Sequence, residues 1–252
     1  MNIAETTLRN YIRVLLKEGV YDPGIFKAVF MAGGPGSGKS FTAKAVFGGD
    51  LGSALSTSTT TGLKLVNSDP AFEMFLKKAG VSPADLGTVS PEEFEKLTVG
   101  STSPRGKAKK LRNVQRAGYL KGNLGVIVDG TGDDYEKILK KKEVLEGLGY
   151  DTMMLFVNTS LDVAQERNQD RDRKLPQDLV EEIWTDVQAN LGAFQTLFGR
   201  RDFVIIDNTV YGPPPEEVEK ATRAFVNRPI QNPLGREKIQ QMLAAKGPEA
   251  RL

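Results

Sequence analysis

One octapeptide constrains the fold of this chain more than any other segment. Residues 33–40 are Gly-Gly-Pro-Gly-Ser-Gly-Lys-Ser and fit the pattern G-x-x-x-x-G-K-[ST] at every defined position. The apolar segment Lys27–Ala32 predicts a short buried strand before the octapeptide, and residues 40–47 predict a helix after it. In this strand–loop–helix context the pattern predicts a loop that binds phosphate. A glycine-rich turn without a ligand is the alternative.

The residue types in this loop suit a nucleoside triphosphate. Glycines let successive backbone N–H groups turn toward one centre, and the helix that starts near Gly38 adds the positive end of its dipole. We expect Lys39 to reach the β- and γ-phosphates and the Ser40 hydroxyl to bind Mg²⁺. The residues predicted to bind the nucleotide, with ATP as the expected ligand, are Gly34, Pro35, Gly36, Ser37, Gly38, Lys39, Ser40, Phe41 and Asn208.

Composition excludes several other chemistries. The 252 residues include neither cysteine nor histidine, which excludes disulfides, thiolate catalysis and histidine-based triads. A general base would therefore be a carboxylate, a lysine or a tyrosine. The apolar runs are too short to span a bilayer and residues 1–20 lack the layout of a signal peptide, so we expect a cytoplasmic protein that does not bind membranes.

Short apolar segments alternate with helical patterns along most of the chain. This alternation predicts an α/β fold, in which a parallel five-stranded sheet carries helices on both faces as a three-layer sandwich. The strands are predicted at residues 27–32, 63–67, 125–129, 152–157 and 203–207.

Three parts of the chain are predicted from these patterns. Residues 1–24 contain an amphipathic helix, which we expect to pack on the domain or to dock on a partner. Residues 25–211 form the domain that carries the phosphate loop. Residues 212–252 begin with Gly-Pro-Pro-Pro and form a linker and a helical tail, with a helix predicted at 216–225. We expect the part that follows, with Pro229, Pro233 and a last amphipathic helix near 236–246, to be peripheral.

The candidate general base is Asp69. It follows the predicted strand 63–67 and so lies at a strand's carboxyl end, where the sites of α/β proteins form. A carboxylate there could accept the proton of an acceptor hydroxyl during phosphoryl transfer. The alternative is a structural role, because Ser68 or Asp69 before Pro70 is suitable chemistry for capping a helix.

A second carboxylate is needed to support the metal ion. Asp129 and Asp207 each end an apolar strand, although turns after strands favour aspartate for other reasons. We favour Asp129 as the ligand that joins Ser40, because residues 130–132 form a polar loop that could face the phosphates. Asp207 and Asn208 are expected nearer the base or the ribose.

The candidate phosphate-binding arginines lie in a segment predicted to close as a lid, residues 161–175. Arg167 and Arg171 are four residues apart and share a helix face, and their guanidinium groups suit phosphate oxygens. Arg173 is an additional basic residue nearby. The alternative is a solvated helix with salt bridges, because Asp170 and Asp172 lie in the same segment.

A basic run occupies residues 105–116, which hold six arginines and lysines and no acidic residue. The formal net charge of the whole chain is only +2, so composition alone does not predict nucleic-acid binding. The run predicts either a solvated helix face or a patch that faces phosphates.

Taken together, these segments resemble the zeta-toxin and polynucleotide-kinase group of P-loop kinases, and most closely the kinase module of phage polynucleotide kinase. The resemblance rests on residues 33–40, 66–69 (Val-Asn-Ser-Asp), 128–131 (Val-Asp-Gly-Thr), 167–171 (Arg-Asn-Gln-Asp-Arg) and 175–178 (Leu-Pro-Gln-Asp). It implies a nucleotide-kinase-like P-loop fold and a kinase that moves the γ-phosphoryl group of ATP to a hydroxyl. It also implies that Asp69 is the base and that Arg171 contacts the transferring phosphate, with Arg167 assisting.

The chain also differs from the proteins of this group at two places. Ile127 stands where an Asp-x-Asp-Gly-Thr phosphatase motif would need its first aspartate, and a nucleotide-sugar pocket of the zeta-toxin kind cannot be traced. The expected acceptor is the 5′-hydroxyl of a polynucleotide, and a nucleoside or nucleotide sugar is the alternative. A phage structural or interaction protein that only binds a nucleotide is the rival from another class.

Overall fold

The computed structural model describes residues 20–22, 24–48, 59–170 and 174–246. The N-terminal helix predicted within residues 1–24 falls almost wholly outside the described residues, and so do Arg171 and Arg173. Within the described ranges, no helix combines the length and the apolar character needed to cross a membrane.

Five parallel strands form one sheet with the order β2-β3-β1-β4-β5. Strand β1 is central and wholly buried, because it pairs on both edges and is covered on both faces. The register aligns Met31 of β1 with Asp129 of β3, and Val66 of β2 with Val128 of β3. The strands are β1 (Lys27–Ala32), β2 (Lys64–Val66), β3 (Val126–Asp129), β4 (Asp151–Asn158) and β5 (Phe203–Asp207).

Helices connect the strands and cover both faces of the sheet, which confirms the predicted three-layer α/β fold of the nucleotide-kinase-like P-loop type. The helices described are α1 (Lys39–Phe47), α2 (Asp69–Lys78), α3 (Pro91–Thr98), α4 (Pro104–Lys121), α5 (Tyr135–Gly147), α6 (Leu161–Gln169), α7 (Gln177–Phe198), α8 (Glu216–Asn227) and α9 (Pro233–Lys246), with a 3₁₀ helix at Pro83–Gly87.

Alternate strand residues separate the core into two layers. Phe30 and Phe156 point to the face covered by α5 and α7, whereas Val29 and Met31 point to the face covered by α1 and α8. A third, smaller cluster packs α2, α3, α4 and the 3₁₀ helix together around Phe72. This third cluster holds the amino end of α4 beside the carboxyl end of β2.

The C-terminal segment is less peripheral than the sequence predicts. Val218 and Phe225 of α8 are buried in the second core layer, and Ile230 is buried in the first. The cause is the amphipathic pattern of α8, whose apolar side chains fall on one face and cover the sheet. The proline-rich segment before α8 therefore leads the chain back onto the sheet.

Candidate active site

The phosphate loop connects β1 to α1 at the carboxyl edge of the sheet. Its conformation depends on close contacts with neighbouring segments. A Cβ added at Gly36, whose φ is +75°, would lie 2.3 Å from the carbonyl oxygen of Ala164 in α6. At Gly38, with φ +85°, it would lie 2.1 Å from Nδ2 of Asn208. These two glycines are therefore required by the backbone and by its neighbours, as well as by phosphate.

The two loop residues expected to handle phosphate and metal begin helix α1. Lys39 is the first residue of α1, and its ammonium group donates to the carbonyl oxygens of Gly33 and, at 3.3 Å, Gly34. The side chain is thus folded over the loop where the sequence predicts the β- and γ-phosphates. Ser40 is exposed in the first turn of the same helix, within the part of the loop that faces solvent.

Asn208 and Arg167 bind the same stretch of the phosphate loop. The amide of Asn208 donates to the carbonyl oxygen of Ser37 at 2.7 Å. Arg167 donates to the carbonyl oxygen of Asn208 at 2.8 Å and to that of Gly36 at 3.5 Å. Arg167 therefore lies against the loop, and no ion pair to an acid is found for it among the described residues. Asn208 holds the loop through the Ser37 carbonyl, and its expected position near the base or ribose of a bound nucleotide stays a prediction.

Asp129 is at the end of β3, beside the loop. Its Oδ2 accepts a hydrogen bond of 3.1 Å from the amide of Asn67, whereas its Oδ1 is buried without a hydrogen-bond partner. Burial raises the pKa of the Asp129 carboxyl, the nearby Lys39 ammonium opposes this, and Asp69 adds to it. Both Lys39 and Asp69 are thus close enough to act on Asp129 electrostatically.

These groups fit a magnesium ion. A buried carboxylate oxygen without a partner calls for a cation or water, and Mg²⁺ takes one or two protein oxygens with substrate phosphates and water. Asp129 and Ser40 are donors of that kind. No group of three or more acidic side chains that could hold a metal ion is found in the described part of the chain, at this site or elsewhere.

Asp69 lies beside Asp129 because β2 and β3 are neighbouring strands, although the two residues are 60 positions apart in the sequence. Its Oδ1 forms an ion pair of 2.8 Å with Nη1 of Arg105, and its backbone N–H donates to Oδ1 of Asn67 at 2.9 Å. Asp69 is the first residue of α2 and does not cap it, and Ser68 at the N-cap position makes no side-chain cap hydrogen bond. The capping role weighed from the sequence is thus performed by Asn67.

Asp207 occupies a different environment. It is exposed at the end of β5, which is separated from β3 by two strands, β1 and β4, and its Oδ1 accepts from the backbone N–H of Thr209 at 2.9 Å. The hydrogen bonds from Thr209 lower the pKa of the Asp207 carboxyl. Of the two candidate strand-end acids, Asp129 is therefore the one that lies with Lys39 and Asp69.

Two aromatic rings stand beside the loop on the outer side of α1. Phe41 and Tyr211 have ring centroids 5.6 Å apart, and their side chains remain exposed. Phe41 was predicted to bind the nucleotide; Tyr211 was not singled out. Sequence reasoning also missed Asn67 and Arg105 as neighbours of the carboxylates, and only the quoted segment Val-Asn-Ser-Asp at residues 66–69 signalled Asn67.

Comparisons with known proteins bear on the fold. No protein-family model matches the chain, and a search of curated proteins likewise finds no match. Among solved structures, the PezAT chromosomal toxin–antitoxin system of Streptococcus pneumoniae is similar at 12% identity and a TM-score of 0.48, over 99% of this chain and 98% of that one. A gluconokinase from Sinorhizobium meliloti is similar at 14% identity and a TM-score of 0.43, over 88% and 98%.

A chain of the Pnkp1/Rnl/Hen1 RNA repair complex is similar at 16% identity and a TM-score of 0.45. It matches 68% of this chain, which spans 46%, or less than half, of that chain's length. With identities of 12–16% and TM-scores below 0.5, these similarities carry no argument, and the case for function rests on the residues of the site.

Proposed function

We propose that this chain is an ATP-dependent kinase that transfers the γ-phosphoryl group to a hydroxyl, namely the 5′-hydroxyl of a polynucleotide. The observation that carries the proposal is that Asn67 joins the Asp129 carboxylate to the backbone of Asp69, and that Lys39 and Asp69 both act electrostatically on Asp129. A loop that only bound nucleotide would need Lys39 and a metal ligand. It would not need a second carboxylate at the neighbouring strand end.

Each residue has a distinct task in this proposal. Lys39 neutralises charge on the β- and γ-phosphates, and Asp69 orients the acceptor hydroxyl and takes its proton as the new bond to phosphorus forms. Ser40 and Asp129 would hold Mg²⁺, which would supply neutralisation of the negative charge on the phosphates. The departing group is ADP, so the proton on Asp69 is the only one that the protein must release to solvent.

The arginines have unequal support. Arg167 contacts the loop backbone, so it can hold the loop and lies within reach of a bound phosphate group. Arg171 remains a prediction as the residue that contacts the transferring phosphate, because it lies outside the described residues. Lid closure by residues 161–175 is proposed to exclude water, which limits hydrolysis of ATP without an acceptor.

Nucleotide contacts beyond the phosphates are proposed for Phe41. Its exposed ring, with Tyr211 beside it, offers an aromatic surface at the start of α1. Aromatic faces stack on nucleobases at modest gain in free energy. Asn208 acts by supporting the carbonyl of Ser37, and so positions the loop that binds the phosphates.

Substitution of the proposed base tests the mechanism. Asp69→Asn keeps the shape of the side chain and should lower phosphoryl transfer by about 10²- to 10⁴-fold, while ATP binding stays within about twofold. The assay is transfer from γ-labelled ATP to a panel of 5′-hydroxyl oligonucleotides, nucleosides and nucleotide sugars. Asp85→Asn, an exposed carboxylate in the 3₁₀ helix, is the matched control and should keep wild-type transfer.

The outcomes separate the candidate functions. Transfer by Asp69→Asn at the wild-type rate would remove Asp69 from the mechanism. Label on nucleosides or nucleotide sugars, and none on oligonucleotides, would replace the polynucleotide acceptor with a small molecule. ATP bound with no label on any acceptor would favour a nucleotide-binding structural or interaction protein.

A further inference from the structure

Helix α4 presents one basic face to the candidate active site. Arg105, Arg112 and Arg116 are spaced seven and four residues apart, so they follow one line along the helix, here called the arginine stripe. Ala108 is buried and Leu111 packs on the third core cluster, so the side of α4 that is held by the fold flanks the stripe. The stripe begins at the ion pair between Arg105 and Asp69.

The stripe lies in a crowded positive field. Arg112 donates to its neighbour Asn113 at 3.0 Å, but its Nε is buried without a hydrogen-bond partner. Lys137 and Lys141 stand one turn apart on α5. Within the described ranges, no ion pair is formed by any of the four basic residues Arg112, Arg116, Lys137 and Lys141. A surface lined by one sign of charge raises the local concentration of oppositely charged ligands, here anions.

The environment of Lys141 connects the stripe to the site. Burial is the main cause that lowers the pKa of Lys141, and Lys137, Arg112 and Arg116 lower it further by repulsion. Asp129 acts in the opposite direction, so it is also near. The basic groups of α4 and α5 are therefore neighbours, and Lys141 is also near Asp129, the proposed metal ligand.

A groove continues from the stripe along the outer side of α4. Its volume is about 640 Å³, and its lining includes Thr98, Gly100, Ser101, Lys109, Lys110 and Asn113. Lys109 lies next to the stripe on the helix surface, between Arg105 and the groove-lining Asn113. Hydroxyls, backbone amides of small residues and lysines are the groups that bind a sugar-phosphate chain without reading its bases.

We propose that the arginine stripe and the adjoining groove, here called the α4 groove, bind the phosphates of a single-stranded polynucleotide. The hydroxyl end lies at Asp69 and the following nucleotides run along α4. The position of that end rests on the proposed function, but binding of the strand does not. In this arrangement the first phosphate of the strand takes Arg105 away from Asp69, which leaves the carboxylate free to accept a proton.

The length of the stripe favours a strand over a single nucleotide. From Arg105 to Arg116 the helix rises about 16 Å at 1.5 Å per residue. At about 3.4 Å per nucleotide in a stacked strand, this spans about five nucleotides. A small phosphorylated acceptor would occupy only the end next to Asp69 and would leave Lys109 and Lys110 without a role.

Fluorescence anisotropy on the full chain tests the proposal. The probes are oligothymidylates of twelve and of two nucleotides, each labelled at the 3′ end so that the 5′-hydroxyl stays free. Arg112→Gln/Arg116→Gln should weaken the longer probe about a hundredfold, at about tenfold for each charge-assisted contact. The slope of log affinity against log salt should fall by about 1.4, or about 0.7 for each lost phosphate contact on a single strand.

Two further variants keep the test decisive. Lys109→Gln/Lys110→Gln changes two exposed side chains and should weaken the longer probe but not the shorter one. Lys220→Gln/Arg223→Gln removes the same charge from α8 on the other face of the sheet, and should bind both probes as the wild type does. Circular dichroism checks that each variant is folded.

Failure of this inference and failure of the proposed function give different results. Wild-type affinity in both α4 variants would overturn the inference, even if the protein phosphorylates oligonucleotides. If Arg112→Gln/Arg116→Gln weakened binding of both probes, and Lys109→Gln/Lys110→Gln weakened binding of neither, the ligand would be a small anionic acceptor and not a strand. If the α4 variants lost oligonucleotide binding as expected, but the wild type transferred no label, the inference would stand and the proposed kinase activity would be rejected.

Discussion

Substitution of Gly36 separates the structural demands of the phosphate loop from its sequence pattern. The pattern G-x-x-x-x-G-K-[ST] leaves both Gly34 and Gly36 undefined, so it treats Gly36→Ala and Gly34→Ala alike. The structure does not. A Cβ at Gly36 would lie 2.3 Å from the carbonyl oxygen of Ala164 and 2.8 Å from its Cα. At Gly34 the nearest atom is Cα of Trp184, 3.8 Å away.

The expected cost follows from two contributions. A φ of +75° costs an L-residue about 1–2 kcal/mol relative to glycine. Relief of the overlap with the backbone of α6, which cannot rotate away as a side chain could, costs about 1–3 kcal/mol. Gly36→Ala should therefore lower the free energy of unfolding by about 2–5 kcal/mol. Gly34→Ala has neither contribution. Alanine reduces the backbone freedom of the unfolded chain, so we expect the free energy of unfolding to change by no more than about 1 kcal/mol.

Urea unfolding monitored by circular dichroism measures both variants. Repeating the titration with saturating MgATP adds RT ln(1 + [L]/Kd) to the stability of any variant that still binds ATP. Gly36→Ala should lose most of this increment, because the loop must move to clear α6. Equal stability of the two variants, or a normal ATP increment in Gly36→Ala, would refute the contact between the loop and α6.

Three other substitutions test the sheet and the site. Asp151→Asn leaves the buried Lys27 ammonium without its anion and should cost about 3–5 kcal/mol in urea unfolding, whereas Lys27→Met/Asp151→Asn removes the buried charge, keeps an oxygen for the backbone N–H groups of residues 231 and 232, and should cost much less; equal losses would contradict a role for the ion pair. Asn67→Ala removes the hydrogen bonds to Asp129 and to the Asp69 backbone, and should lower kcat about tenfold or more in the labelled-ATP assay with little change in ATP affinity. Phe41→Ala should weaken ATP binding about two- to tenfold by calorimetry, and an unchanged Kd would remove this ring from the nucleotide site.

Local pattern was sufficient to predict the sheet. All five strands are found within or around the five predicted segments of five or six residues, and Lys27–Ala32 and Phe203–Asp207 have the predicted bounds. Because parallel strands place their carboxyl ends on one edge, the pattern also indicated that Asp69 and Asp129 would share an edge with the loop. Strand order was not predictable in this way. It depends on the crossovers, and only the order puts β2 beside β3.

The contacts that define the site were beyond reach from sequence. Arg105 pairs with Asp69 across 36 residues, and Asn67 bonds to Asp129 across 62. No sequence spacing predicts either contact, because each arises from the packing of separate helices and strands on the sheet. The basic run 105–116 could not be divided into an inward and an outward part until the third core cluster showed which side of α4 is buried.

The two edges of the sheet satisfy their polar groups differently, and this contrast locates the function independently of any motif. At the amino edge, Asp151 binds Lys27 and the backbone N–H groups of residues 231 and 232. At the carboxyl edge, Ser37 Oγ, Asp129 Oδ1 and Thr159 Oγ1 are buried without partners. Each such group costs about 1–3 kcal/mol unless a ligand, ion or water completes it. Two other orphan atoms among the described residues are guanidinium Nε atoms, one of them in the arginine stripe. The unmet hydrogen-bonding capacity is thus concentrated where phosphate, metal and acceptor are proposed to bind.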